Sequence, residues 1–183
     1  MKNILTALRV FLVLSILTGI VYPVAMTLLS ESIFTKNADG SLIVLNGKLV
    51  GSSLLAQKTT DAKYFWPRPS AGDYATVSSG ASNQGILSKS LADAVAARRE
   101  ALGNGTNIPP DLLYASGSGL DPHISPEAAR YQIARVAAAR HYDANQMEKL
   151  TMLVEARIER PQFGIFGDPR VNVLELNLAV DQM

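Results

Sequence analysis

The chain has 183 residues, 48% hydrophobic and 18% charged, with a formal net charge of +1 and no cysteine. That length suits one ordinary domain with an addition, and the hydrophobic share excludes a chain disordered throughout. The near-neutral charge excludes general nucleic-acid binding, which needs clustered Lys and Arg against phosphates, and the lack of Cys excludes disulfides, thiolate metal sites and cysteine nucleophiles.

The charge is unevenly spread. Residues 1–29 hold Lys2 and Arg9 and no acid, while the other 15 of the 17 basic residues and all 16 acidic ones follow. From Val10 to Leu29 the run VFLVLSILTGIVYPVAMTLL is uncharged. As a helix it spans roughly 30 Å, the thickness of a bilayer's hydrocarbon core. A cleaved signal peptide would have a shorter apolar region and a small-x-small cleavage site. Here Ala25-Met26-Thr27 is a poor match, and Leu28 and Leu29 continue the run. The reading is a cytoplasmic N-terminus over 1–9 and an uncleaved transmembrane helix over 10–29. The positive-inside rule then puts residues 30–183 outside, in the periplasm of a bacterium. Ser15 and Gly19, spaced i, i+4, offer a small-residue face for a partner helix, beside the lipid bilayer. Pro23 predicts a kink, because it has no N–H for the Gly19 carbonyl.

Residues 30–40 read as a linker, and 41–183 as one external domain. Asn46-Gly47 between apolar stretches predicts a hairpin with strands at about 41–45 and 48–51. Residues 58–87 form a long irregular segment containing Tyr64-Phe65-Trp66-Pro67-Arg68-Pro69-Ser70. The two prolines exclude helix interior and central strand there, and a loop of this length is usually functional. A helix is predicted over 89–102, capped by Ser88 or Ser90 and ended by Gly103. Ser125-Pro126-Glu127 starts another that runs to about Arg140. Asp143 caps a third, with Gln146 at N3 in a capping-box-like pair. Its apolar face is Met147, Leu150, Leu153, Val154 and Ile158, and Pro161 stops it. Val171-Asn172-Val173 begins a C-terminal strand with partial alternation to Leu178. The fold class is α+β: one N-terminal transmembrane helix, then a small periplasmic domain with a short sheet and about three helices.

Few residues point to chemistry. No phosphate-binding loop occurs, since Gly40 to Gly47-Lys48 has the wrong spacing and Leu49 follows. Ser116, Asp121 and His123 are the three residue types of a nucleophilic triad, so a membrane-anchored periplasmic hydrolase or ligand-binding module is the alternative reading. However, Asp121 and His123 flank Pro122 in one turn, and Ser116-Gly117-Ser118-Gly119 is one residue short of a nucleophile elbow. Turn and capping chemistry explains them better. His123 and His141 lack metal-ligand spacing, so no metal site is expected. Tyr64, Phe65 and Trp66 read as a core anchor or a protein contact. Arg130, Arg135 and Arg140 read by default as a solvated helix face.

The segment Ala115-Ser116-Gly117-Ser118-Gly119-Leu120-Asp121-Pro122-His123-Ile124-Ser125-Pro126, with Tyr131-Gln132 and Arg135-Val136-Ala137 after it, strongly resembles the C subunits of Kdp-type potassium-transporting ATPases of bacteria. Gly51-Ser52-Ser53-Leu54-Leu55-Ala56-Gln57, Tyr64-Phe65-Trp66-Pro67-Arg68-Pro69-Ser70-Ala71, Ser79-Gly80-Ala81-Ser82-Asn83 and Val171-Asn172-Val173-Leu174-Glu175-Leu176-Asn177 agree in the same order. The resemblance covers nearly the whole chain. It implies a non-catalytic, single-span accessory subunit of a high-affinity potassium uptake complex in the inner membrane. The implied partners are a channel-like potassium-translocating subunit and a P-type ATPase subunit. The role implied is a catalytic chaperone that raises the ATP affinity of the ATPase subunit. ATP and potassium would be handled by the complex, with no cofactor bound firmly by this chain. A Gln likened to an ATP-related signature falls on Gln146, where only the Gln itself matches; the capping pair with Asp143 is the other reading of that residue. Candidate partner contacts are Tyr64, Phe65, Trp66, Arg68, Ser116, Asp121 and His123.

Overall fold

The computed structural model describes residues 2–183. The chain forms two compact units, one ending at Ser52 and the other comprising Ser53–Met183.

In the first unit a continuous helix, Lys2–Ile33, is long and apolar enough to cross a membrane. It consists of α1 (Lys2–Ile16), one π-helical turn (Leu17–Val21) and α2 (Tyr22–Ile33). It extends past the uncharged run at both ends, because neither Gly nor Pro interrupts its polar flanks. The Thr18 hydroxyl donates to the Leu14 carbonyl at 2.7 Å, so this polar side chain is satisfied inside the helix. At Pro23 the expected defect takes the form of the π turn. The Tyr22 N–H bonds to Leu17 O, one residue further back than in an α-helix. The widened turn directly before Pro23 makes room for a ring that an α-turn would clash with. Ser15 lies in α1 and Gly19 in the π turn, and a Cβ on Gly19 would meet nothing within 4 Å.

A short helix α3 (Thr35–Ala38) follows, then β1 (Leu42–Leu45) and β2 (Lys48–Ser52) in an antiparallel hairpin. Asn46 and Gly47 sit at φ +51° and +74°, the positive values that their turn requires.

The second unit is built around α6 (Pro126–Ala139), whose Ala128, Ala129, Gln132 and Val136 are buried. Small alanines let α7 (Ala144–Ala156) approach with Leu150 and Val154, and Leu176 and Val180 of α8 (Val173–Val180) join the same core. The helices α4 (Lys89–Ala101) and α5 (Pro110–Leu113) add Val95, Leu112 and Leu113. Ser88 occupies the N-cap of α4, but its hydroxyl meets that of Ser90 at 2.7 Å and caps no backbone N–H. The strands β3 (His123–Ile124) and β4 (Val171–Asn172) form a second antiparallel pair, separate from the β1–β2 hairpin.

The C-terminal segment departs from the alternating pattern. Only Val171 and Asn172 are strand, and the expected strand residues from Val173 onward form α8. The Asn172 carboxamide accepts the Glu175 N–H at 3.1 Å and so starts a helix. Val173, Leu176, Asn177 and Val180 are buried together, a helical spacing that the alternation concealed. Likewise α7 ends at Ala156, short of Ile158, because the chain turns there into a small hairpin in which Glu159 pairs with Arg170.

Candidate functional site

The irregular segment after Lys58 runs across the helices as a strap. Phe65 is 0% exposed and fills the core. An extended strand there would have neighbours for its backbone groups; here two side-chain amides take that role. Asn177 of α8 accepts the Phe65 N–H at 2.7 Å and donates to the Phe65 carbonyl at 2.9 Å. Gln132 of α6, 1% exposed, accepts the Trp66 N–H at 2.8 Å and donates to the Trp66 carbonyl at 3.1 Å. Arg135 and Arg140 therefore do not form a solvated face. Arg135 donates to the carbonyls of Ala62 (2.7 Å) and Tyr64 (3.0 Å), with its guanidinium 4.0 Å from the Trp66 ring centroid. Burial pushes its pKa down to about 10, still well above neutrality. Arg140 donates to the Lys63 carbonyl at 2.8 Å and pairs with Asp181 at 2.6 Å. The Tyr64 hydroxyl donates to the same carboxylate at 2.9 Å, which raises the Tyr64 pKa. Arg130 alone behaves as a surface cation, pairing with Glu155 through two bonds of 2.6 and 2.8 Å.

Of the aromatic cluster, Phe65 thus presents no surface to a partner. Trp66 is held under Arg135, and its indole N–H donates to the Asp61 carbonyl at 3.0 Å. Gln132 and Asn177 stand in the segments that carry the resemblance, without a role there, and Asp111 lies outside those segments. The available signal was a polar residue on an otherwise apolar helix face, at Gln132 among Ala128, Ala129 and Val136, and at Asn177 beside Leu176 and Val180.

Between its two prolines, Pro67 and Pro69, the strap meets a charged cluster. Arg68 donates to Asp121 at 3.2 Å and approaches Asp111 at 3.9 Å. Asp121 also accepts the His123 N–H at 3.0 Å, with the His123 Nδ1 3.7 Å away. Burial raises the Asp121 pKa, but the hydrogen bonds from His123 and the Arg68 charge outweigh it and hold the carboxyl below its ordinary value. Asp111 accepts the Ser125 N–H at 2.8 Å and so steadies the start of α6. Asp121, His123 and Arg68 line a cleft of about 810 Å³, and Ser116 does not. The Ser116 hydroxyl is buried and has no hydrogen-bond partner among the described residues. The structure therefore joins Asp121 and His123 to Arg68 and leaves Ser116 apart. Among the described residues, no group of three His, Asp or Glu side chains is placed to hold a metal ion.

At Gln146 the capping box is complete. Its carboxamide accepts the Asp143 N–H at 2.9 Å, and its own N–H donates to the Asp143 carboxylate at 2.8 Å.

A family model described as "K+-transporting ATPase, c chain" matches residues 4–182. The chain belongs to the KdpC family. The potassium-transporting ATPase KdpC subunit of Dechloromonas aromatica (strain RCB) is 50% identical over 100% of this chain and 99% of its own length. The same subunit of Polaromonas naphthalenivorans (strain CJ2) is 50% identical over 100% of this chain and 96% of its own. That of Leptospira interrogans (strain Fiocruz L1-130) is 46% identical over 96% and 91%.

The second unit also exposes apolar groups that are not part of the Tyr64–Trp66 cluster. Val77, Ile86 and Leu87 are exposed in the Gly/Ser-rich stretch before α4. Phe163, Ile165 and Phe166 are exposed between α7 and β4. Sequence reasoning passed over the second group because its residues fall outside every periodic segment.

Proposed function

We propose that this chain is the single-span accessory subunit of a bacterial potassium-transporting ATPase. The helix Lys2–Ile33 crosses the inner membrane with the N-terminus in the cytoplasm, and residues 53–183 lie on the periplasmic side. The reading is carried by the family match over residues 4–182, which runs through both the helix and the domain. Lys2 and Arg9 before the apolar run, with no acid among the first 29 residues, support the orientation. The chain works beside a channel-like potassium-translocating subunit and a P-type ATPase subunit, with Ser15 and Gly19 in the helix packing against a partner helix.

Its contribution is assembly and coupling, without chemistry of its own. Two details support this. Ser116 does not line the cleft that Asp121 and His123 share, so the three do not assemble as a nucleophilic triad. Gln146 has its carboxamide oxygen and backbone N–H engaged in capping α7. ATP affinity of the ATPase subunit then rises by coupling through the assembled complex, which requires that this subunit favour one of its two states.

The test is expression of the whole transporter with and without this chain. Without it, potassium-stimulated ATPase activity is expected to fall and the apparent ATP KM to rise, while Gln146→Ala changes neither. Full activity of a complex lacking the chain would overturn the reading. A reporter fused after Met183 that is active only in the cytoplasm would overturn the orientation.

A further inference from the structure

The sequence holds two Asn-Gly pairs, Asn46-Gly47 and Asn104-Gly105. Such a pair carries its own electrophile and nucleophile. They are the side-chain carbonyl carbon of Asn and the backbone nitrogen of the next residue, which can close a five-membered ring. Glycine makes the attack easiest, because no Cβ shields its nitrogen or limits the backbone rotation that brings it onto the carboxamide. The fold treats the two pairs differently.

Asn104 closes the C-terminus of α4. Its N–H bonds to the Arg99 carbonyl at 3.0 Å. The N–H of Gly103, a residue at φ +81°, bonds to the Glu100 carbonyl at 2.9 Å, and together these are the paired bonds of a Schellman motif. The Gly105 carbonyl accepts from the Arg99 guanidinium at 3.4 Å, and a Cβ on Gly105 would collide with the Tyr131 hydroxyl. The peptide unit that must rotate is thus held on both sides. At Asn46-Gly47 both residues are exposed, and a Cβ on Gly47 would meet nothing within 4 Å. Their turn closes a sheet of two strands only, β1 and β2, whose register shifts between Ile43 and Val44. Val44 and Leu49, paired across that sheet, are 61% and 62% exposed, so no core holds the turn shut. A two-stranded hairpin of this kind is marginal and opens locally at little cost.

We infer that Asn46 is a site of spontaneous covalent modification with water as co-reactant, and that the fold protects Asn104 from the same reaction. When the turn opens, the Gly47 nitrogen attacks the Asn46 side-chain carbonyl carbon. A new C–N bond forms, the carboxamide C–N bond breaks, and the Gly47 amide proton departs with the nitrogen as ammonia. Water then opens either C–N bond of the cyclic imide, its oxygen going to carbon and a proton to nitrogen. The product is aspartate or isoaspartate, with no change in oxidation state. Either one adds a negative charge to the turn. Isoaspartate also routes the main chain through the side-chain carbon, so the Leu45–Lys48 pair beside the turn loses its register. The inference is independent of the subunit reading above.

The test holds the purified full chain in detergent in a mildly alkaline buffer, beside a second sample in guanidinium chloride, where both pairs are free. Digested samples are read by mass spectrometry, aspartate by its mass gain over asparagine and isoaspartate by labelling with an isoaspartyl methyltransferase. In the folded chain Asn46 is expected to convert about tenfold faster than Asn104, equivalent to about 1.4 kcal/mol of additional opening cost at Asn104. In denaturant the two rates should converge. Equal rates in the folded chain, or a faster Asn104, overturn the inference. So does an Asn46 that stays intact in the folded chain while it converts in denaturant.

Discussion

Two short aromatic segments of this molecule have opposite fates. Tyr64-Phe65-Trp66 and Phe163-Gly164-Ile165-Phe166 look alike in composition, and both lie in segments without helical or alternating periodicity. Phe65 is sealed into the core, whereas Phe163 stands 91% exposed. The difference comes from what the helices hold ready for each. Asn177 and Gln132 each offer a donor and an acceptor at the right depth to satisfy both backbone groups of one strap residue. Backbone polar groups enter a core only when paired, so the amides admit the strap and its phenyl ring follows. The hairpin tip at Phe163–Phe166 has no such receivers. Its backbone hydrogen bonds close on itself, and its side chains remain outside.

The comparison is broken most directly by truncating one ring in each segment. Phe65→Ala is expected to cost about 3–5 kcal/mol, the range for deleting a buried Phe. Phe163→Ala should stay within about 0.5 kcal/mol, as for a surface position. Urea unfolding of the full chain in detergent, followed by the fluorescence of the single tryptophan, Trp66, would read both. Equal losses would mean that the tip is packed in the free chain.

The amide grips come next. Asn177→Leu leaves the Phe65 N–H and carbonyl buried without partners, at about 1–3 kcal/mol for each orphaned group. Gln132→Leu does the same to Trp66, but Trp66 is only half-buried, so water can reach part of what is lost. The loss in urea stability should therefore be larger for Asn177→Leu. The reverse order would show that the strap is anchored at Trp66 and Arg135 rather than at Phe65.

Why one half of this was legible in the sequence and the other was not is a matter of distance along the chain. Asn46-Gly47, Ser125-Pro126-Glu127 and Asp143 with Gln146 settle their own turns or caps within four residues, and the structure has each as expected. The amide grips join residues 66 and 112 positions apart, and nothing near Phe65 announces them. Asn172 capping α8 is local, yet it was masked because Val173 to Leu178 alternates like a strand and repeats like a helix at once. The same ambiguity hid Arg135 and Arg140, whose length and charge suit solvent as well as a row of carbonyls on the strap. The charged cluster was half visible. Asp121 and His123 share a turn, while Arg68 arrives from 53 residues away.

A local cap sets the scale against which the long-range grips are judged. Asp143→Ala removes the acceptor of the Gln146 N–H and should cost about 1 kcal/mol. Gln146→Ala keeps that bond, loses only its reciprocal, and should cost less. Both losses should fall below that of Asn177→Leu in the same urea measurement. A larger cost at Asp143 would make α7, rather than the strap, the weakest point of the domain.

The smallest effect concerns the far end of the strap, where Arg68 meets Asp121. The Asp121 carboxyl titrates below its ordinary 3.8 in the folded chain, so between that value and its folded pKa the unfolded chain binds more protons. Stability from this carboxylate is present above pH 3.8 and is lost as the pH falls through the folded value. The side chain is about one-third exposed, so solvent screens the pair and the loss should be no more than about 1 kcal/mol. Acid should thus loosen the Arg68 end while leaving the tip hairpin's stability unaffected through this residue. Asp121→Asn should flatten the decline in urea midpoint as the pH falls below 3.8. A decline of undiminished slope in that variant would assign the acid sensitivity to other carboxylates and leave the strap held by its amides alone.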